Sequence, residues 1–191
     1  MFSTRWGALV AAAAALGLSA CSADAPAAAP SIDPSWQPVA VGPATLHVPE
    51  QWEQAAGADL YPGSDTDETV ALTAPENDER VRAGVLVTVQ TAPTRDATAE
   101  AAALVLGEKA TTGADEVETG EGELAGASSV ATVTFVSDVR RSDGTTAELR
   151  SRWLVADLES GEQIVVKAIG PRDTFDDTPL DAILSSVEIT S

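Results

Sequence analysis

The chain has 191 residues, which suits one domain of ordinary size. It carries 30 acidic and 11 basic residues, for a formal net charge of -19, with one cysteine and one histidine. These counts exclude a disulfide-stapled module and a zinc site built from cysteine and histidine. The acidic balance excludes non-specific nucleic-acid binding.

Residues 1–20 have the pattern of a signal peptide that is not part of the fold. One positive charge, at Arg5, precedes an apolar run from Trp6 to Leu18. The run has the length of a signal-peptide apolar region and is too short to span a bilayer. We therefore expect the chain to be secreted.

The segment Leu18-Ser19-Ala20-Cys21 resembles the bacterial lipobox, in which an aliphatic and two small residues precede a cysteine. The resemblance implies cleavage before Cys21 and a diacylglycerol group on its thiol. Such an anchor would hold the protein at the outer face of the bacterial cytoplasmic membrane. The alternative is an accidental cysteine in an ordinary secretory signal, although a free thiol has little use in an oxidising compartment.

Residues 21–35 are predicted to be the lipidated cysteine and an Ala/Pro-rich tether. Prolines recur at Pro26, Pro30 and Pro34, and the segment lacks the apolar bulk of a core. At about 3.1 Å per residue it would hold the domain up to about 40 Å from the bilayer.

The predicted domain spans residues 36–191 and opens with β-strands. Gln37–Val41 and Ala44–Val48 alternate apolar residues around Gly42-Pro43, which predicts a hairpin. Further strands are predicted at Thr69–Ala74 and at Gly84–Thr91, which is rich in β-branched residues.

A helix is predicted over Ala97–Thr111, with Asp96 as its N-cap. We expect one weakly apolar face on it, formed by Ala99, Ala103, Leu106 and Ala110. The remaining predicted elements are strands at Glu116–Leu124, Ser128–Val136, Ala147–Leu158 and Gln163–Ile169, a loop at Pro171–Pro179, a helix at Leu180–Ser186 and a tail at Val187–Thr190.

Apolar residues on both faces of the late strands predict a sheet that is covered on both sides. Val130 and Ala131 are adjacent and apolar, as are Val165 and Val166. Hairpin-length connections make the sheet antiparallel. With the two helices on opposite faces, the fold class is α+β, an α/β/α sandwich.

The order of elements resembles the PsbP/Mog1-like fold, and within it the LpqN-type lipoproteins of actinobacteria. The residues that carry the resemblance are Leu46–Trp52, with an "apolar-x-Val-Pro-x-x-Trp" pattern, and Ile183–Val187, with an "Ile-Leu-x-Ser-Val" pattern. The strand Val85–Thr91 also leads into the helix as it does in the family. The resemblance implies a binding scaffold and supplies no catalytic residue.

No motif in the chain predicts catalysis, a cofactor or a metal site. His47 is the only side chain with an ordinary pKa near neutrality, and no G-x-S-x-G elbow occurs. Asp65–Glu68 has alternating acids but lacks the spacing of an EF-hand calcium loop, so a solvated loop is the favoured interpretation and weak calcium binding is the alternative. The acidic cluster of Asp173, Asp176 and Asp177 is interpreted in the same way. The acidic stripe Glu116–Glu123 is interpreted as an edge that resists strand addition rather than a partner surface.

Four arginines flank one predicted hairpin in this otherwise acidic chain: Arg140, Arg141, Arg150 and Arg152. They are a candidate patch for an anionic partner, such as lipid head groups or wall polymers. The alternative is ordinary pairing with nearby acids.

The sequence favours a non-enzymatic, membrane-anchored lipoprotein of the cell envelope that docks a partner protein. The alternative function is a carrier of a lipid or other apolar ligand in a cavity between sheet and helix. The small residues Ala99, Ala103 and Ala110 would leave room for such a cavity.

The lipid anchor makes the first testable prediction. Cys21→Ala removes the thiol that forms the thioether, so cells fed a radioactive fatty acid should label the wild-type chain and not the variant. Ser22→Ala keeps the thiol and should keep the label. Label retained in Cys21→Ala would contradict lipidation at this residue.

Overall fold

The computed structural model describes residues 32–56, 69–75, 82–140 and 144–190. The strands are β1 (Trp36–Val41), β2 (Ala44–Pro49), β3 (Glu53–Ala55), β4 (Thr69–Thr73), β5 (Gly84–Gln90), β6 (Asp115–Glu121), β7 (Ala127–Arg140), β8 (Thr146–Leu158), β9 (Gln163–Pro171) and β10 (Glu188–Ile189). The helices are α1 (Ala97–Thr111), a 3-10 turn at Arg172–Asp177 and α2 (Leu180–Ser185).

Two antiparallel sheets form the fold. Within the described residues, the larger has seven strands in the order β3-β4-β5-β9-β8-β7-β6, and the smaller has three in the order β1-β2-β10. Strands β7 and β8 pair along most of their length, from Ala127 opposite Leu158 to Arg140 opposite Thr146. The α+β class and the antiparallel pairing predicted from the sequence are confirmed.

The large sheet is covered differently on its two faces. On one face α1 packs Ala101 and Val105 in a cluster with Val133, Phe135 and Trp153. On the other, the small sheet contributes Leu46 and Val48 to a second cluster, which also holds residues of β5, β8, β9 and α2. The prediction that helices flank both faces is not confirmed, because the second face is covered largely by the small sheet.

The face of α1 that contacts the sheet differs from the predicted one. Leu106 is 68% exposed, and Ala99 and Ala110 are also exposed. The buried positions are Ala97, Ala101, Val105 and Glu108. The expected face was wrong because alanines surround this helix, so small residues allow close approach on several sides and periodicity cannot choose among them.

Two short strands and one turn were not predicted. β3 and β10 have three and two residues, which is too short for a period-2 pattern to be visible. β10 pairs with β2, placing Ile189 opposite Ala44. The segment predicted as a loop after β9 contains the 3-10 turn, with Phe175 buried.

The end of α2 is fastened to β2 by one hydroxyl. The Ser186 Oγ accepts a hydrogen bond from the backbone N–H of His47 at 2.9 Å. It lies 2.7 Å from the carbonyl of Ile183, to which it donates, and 3.3 Å from that of His47. The contact joins residues separated by 139 positions in sequence.

The start of α1 is fixed by the carboxylate of Asp157, at the end of β8. Its Oδ2 accepts from the backbone N–H of Ala97 at 2.8 Å and from Ser129 Oγ at 3.0 Å, and its Oδ1 accepts from Gln163 Nε2 at 2.8 Å. Partial burial raises the pKa of Asp157, but these three hydrogen bonds together lower it below the ordinary value. The helix is thereby tied to β7, β8 and β9 at once.

Asp157→Asn should destabilise the fold by about 1–3 kcal/mol, because the amide keeps one acceptor oxygen and turns an NH2 group toward donors. Gln163 cannot compensate by rotating, since its Nε2 also donates to the carbonyl of Arg95 at 3.0 Å. Urea unfolding at pH 7 measures the loss, and Glu159→Gln, at an exposed position, is the control. Equal stability of the two variants would contradict this role for Asp157.

The same carboxylate makes stability depend on pH. Because its pKa is lowered on folding, the folded chain binds fewer protons than the unfolded one. The contribution of Asp157 is therefore complete above the ordinary Asp pKa of about 3.9 and is lost as pH falls through the folded pKa. The free energy of unfolding of wild type should therefore approach that of Asp157→Asn as pH falls through this acidic range. A stability difference between the two proteins that does not change with pH would contradict this role for the Asp157 carboxylate.

Candidate functional site

A cleft of about 850 Å³ runs along one flank of α1. We call it the α1 cleft and define it by Arg95, Glu100, Ala103, Leu104, Gly107, Glu108, Thr111, Thr112, Asp138, Val139 and Arg140. Its middle, at Ala103, Leu104 and Gly107, is apolar, and its charged side chains lie toward the ends. The volume lies within the range of about 300–1,000 Å³ that is typical of small-molecule sites.

Open space borders Gly107 in the cleft. A Cβ atom built at this position would meet no atom within 4 Å. The sequence led us to expect a cavity between sheet and helix next to Ala99, Ala103 and Ala110. Of these three residues, only Ala103 lines the cleft. The cleft lies beside the helix rather than beneath its small-residue face.

The two acids that α1 contributes to the cleft, Glu100 and Glu108, lie near cations. Glu100 forms an ion pair with Arg95 at 3.1 Å. Lys167 of β9 lies 4.2 Å from the ring centroid of Trp153. Burial lowers the pKa of Lys167, and the nearby Glu108 and Glu100 oppose that shift only in part, so its pKa stays below the ordinary value.

The far end of the cleft is formed by the last residues of β7. Asp115 follows α1 closely and pairs with Val136, so the end of the helix lies beside the stretch that carries Asp138 and Arg140. Arg140 is exposed and has no ion-pair partner within the described ranges. By strand alternation its side chain shares a face of β7 with Val136, which lies opposite Arg150, whereas Phe135 and the other face pack against α1.

Two arginines of the predicted patch form ion pairs in the structure. Arg150 lies 3.1 Å from Asp176, and Arg152 contacts Asp181. Both guanidinium groups also lie over the ring of Phe175, at 5.9 and 5.4 Å from its centroid. These two arginines therefore pair with nearby acids, which was the alternative interpretation of the patch. Arg141 falls outside the described residues. Binding of an anionic partner by the set stays a prediction.

The other candidate residues show no catalytic or metal geometry among the described parts of the chain. The Nδ1 atom of His47 is buried and has no hydrogen-bond partner. Among those residues no group of three or more His, Cys, Asp or Glu side chains could hold a metal ion, and Asp65–Glu68 falls outside them. In the same set, no helix is long and apolar enough to cross a membrane.

A smaller groove, of about 290 Å³, lies on the opposite face of β7 and β8, next to α2. Leu154 and Leu184 line it together with Arg152. It is a second concave surface that is open to a partner.

Comparison with solved structures identifies the fold. PsbP of Synechocystis sp. PCC 6803 matches with a TM-score of 0.55 and 14% identity, over 81% of this chain and 92% of that chain. The Ran-binding protein Mog1p of Saccharomyces cerevisiae matches with a TM-score of 0.50 and 13% identity, over 82% and 96%. The chain has the PsbP/Mog1-like fold.

The finer LpqN-type assignment stays a prediction. LpqN of Mycobacterium tuberculosis, which is involved in cell envelope biogenesis, matches with a TM-score of 0.48 and 13% identity, over 82% of this chain and 91% of that chain. No protein-family model matches the chain. No curated protein sequence matches it either.

Gly107→Ala should stabilise the protein by about 0.5–1 kcal/mol, because glycine inside a helix costs that much relative to alanine and the site has room for the methyl group. The matched control is Gly113→Ala, where φ is +70° and the space is equally open. That variant should destabilise, since alanine is strained in this backbone region. Thermal unfolding measures both, and loss of stability in Gly107→Ala would contradict the open cleft.

Proposed function

We propose that the protein is a lipid-anchored, extracytoplasmic accessory protein of the cell envelope that docks a partner protein and carries out no chemistry itself. The observation that carries the proposal is the lipobox-like segment Leu18–Cys21, followed by a Pro-rich tether and one domain. This arrangement suits a binding domain that is held near a membrane.

The contacts of His47 support a role without catalysis. His47 is the only histidine of the chain. Its backbone is fastened to Ser186, and that hydroxyl donates to the carbonyl of Ile183. A serine nucleophile would need its hydroxyl directed to a basic side chain instead. The pair therefore serves packing.

Protein binding within this fold supports the docking proposal. Mog1p is a Ran-binding protein, so one protein of the same fold binds another protein. In the present chain the α1 cleft and the groove beside α2 are open concave surfaces on opposite faces of the large sheet. Leu106 is exposed on α1, the helix that lines the first of them.

A second candidate function is that of a carrier for a lipid or other apolar ligand. The observation that favours it is the volume of the α1 cleft together with its apolar middle. Under this function the anchor keeps the carrier near the membrane that supplies its ligand.

A photo-cross-linking amino acid at position 106 tests partner docking in intact cells. We expect a discrete cross-linked product with one envelope protein, since Leu106 is 68% exposed on the helix that lines the α1 cleft. The control places the same amino acid at position 159, which is exposed just after β8 and does not line the cleft. The same abundant proteins captured from both positions would contradict docking at this surface.

A further inference from the structure

We propose that the backbone edge of β6 that faces away from β7 binds a basic, extended segment of a partner protein, which adds to the large sheet as a further strand. This inference deepens the proposed docking of a partner protein and rests on it. No residue of β6 lines the α1 cleft, so this edge can fail as the binding surface while docking itself stands.

The register of β6 with β7 leaves a row of backbone groups open on this edge. Gly122, directly after β6, donates its backbone N–H to the carbonyl of Val130 at 3.2 Å. Because hydrogen bonding alternates along an antiparallel pair, Thr119 and Glu121 direct their backbone N–H and carbonyl groups away from β7. Among the described strands none pairs with this edge. An unpaired edge of this kind is a template for the addition of a strand.

The groove beside α2 adjoins this edge and can receive side chains of an added strand. Gly122 and Thr132 line it, and Gly120 lies opposite Thr132 on the same face of the sheet. A Cβ atom built at Gly120 or Gly122 would lie 3.1 Å from a side-chain atom of β7. Because neither glycine carries a side chain, a long apolar side chain of the partner can lie across them and reach the groove.

The charge of this edge favours a basic partner. β6 and the two residues after it contain five acids and no lysine or arginine. Glu116 pairs with Arg172 at 2.7 Å. Within the described ranges, Glu118, Glu121 and Glu123 form no ion pair. Opposite charges across two adjacent strands are stabilising, so a lysine or arginine of the added strand would pair with these carboxylates.

The same charge disfavours a second copy of this chain at the edge. Two β6 strands side by side would bring like charges together, which destabilises a strand pair. The interpretation of this acidic stripe as an edge that resists strand addition then applies to pairing of the chain with itself. A strand of opposite charge meets no such repulsion, so the acids supply specificity for the partner.

A synthetic peptide tests the proposal, with its binding to residues 22–191 followed by fluorescence anisotropy. The probe is fluorescein-labelled Lys-Leu-Lys-Leu-Thr-Arg-Thr with an amidated C-terminus. Every described strand pair of the large sheet is antiparallel. Added in that sense, the peptide can place its second lysine opposite Glu121, its second leucine beside Gly120 and its arginine opposite Glu118. We expect saturable binding, and its absence would overturn the proposal.

Peptides of equal charge separate strand addition from general attraction to an acidic protein. Methyl groups on the backbone nitrogens of the second lysine and the first threonine remove the two N–H groups that face the edge, and should weaken binding about 10-fold. Methyl groups on the nitrogens of the second leucine and the arginine point away from the edge and should leave binding nearly unchanged. Equal affinity of these two peptides would overturn strand addition.

Substitutions in β6 locate the site on the protein. Thr119→Pro removes the outward N–H at a position where an edge strand tolerates proline, and should weaken the probe about 10-fold. The matched control Thr119→Val keeps this N–H and should bind as wild type does. The double variant Glu118→Gln/Glu121→Gln should weaken the probe about 5-fold. Circular dichroism and thermal unfolding check that each variant is folded, and equal affinity of Thr119→Pro and Thr119→Val would overturn the location.

Cross-linking in intact cells separates this inference from the proposed function. A photo-cross-linking amino acid at position 121, which is exposed on β6, should give a discrete product with one envelope protein. A product from position 106 with none from position 121 would retain partner docking and overturn the β6 edge as its surface. Absence of a discrete product from both positions would contradict docking and this inference together.

Discussion

The position of α1 on the large sheet depends on one carboxylate. Asp157 accepts from the first backbone N–H of the helix and from side chains of β7 and β9. The apolar contacts of the helix with the sheet are few and small, since its buried face is made of two alanines, a valine and a glutamate. Small apolar side chains bury little area, so a directed hydrogen-bond network sets where the helix lies.

This placement explains why a cleft exists beside the helix. α1 packs over β7 and β8, and its flank from Glu100 to Gly107 stands free of the sheet far enough to leave an open channel. The ion pair of Glu100 with Arg95 and the position of Lys167 near Glu108 keep charges on that flank compensated. The channel therefore has an apolar middle, with charged side chains toward its ends.

Elements with strong local signals were predicted well from the sequence. The first hairpin and the bounds of α1 agree with the structure because alternation, Gly42-Pro43 and the Asp96 cap are all local. The cleft was not predicted, since it depends on which side of an alanine-rich helix meets the sheet. The sequence around Asp157 does not show that its carboxylate accepts a hydrogen bond from the first residue of α1, 60 positions earlier in the chain. The pairing of Arg150 and Arg152 depends equally on long-range contacts.

The small sheet joins the two ends of the domain. β10 lies against β2, and the backbone N–H of Thr190 donates to the carbonyl of Pro43 at 2.8 Å, a contact that spans 147 positions. A chain delivered from its N-terminus, whether by synthesis or by export, would hold its first hairpin with one edge unpaired until β10 arrives. Such late closure gives the fold a high contact order and delays the completed native state until delivery has finished.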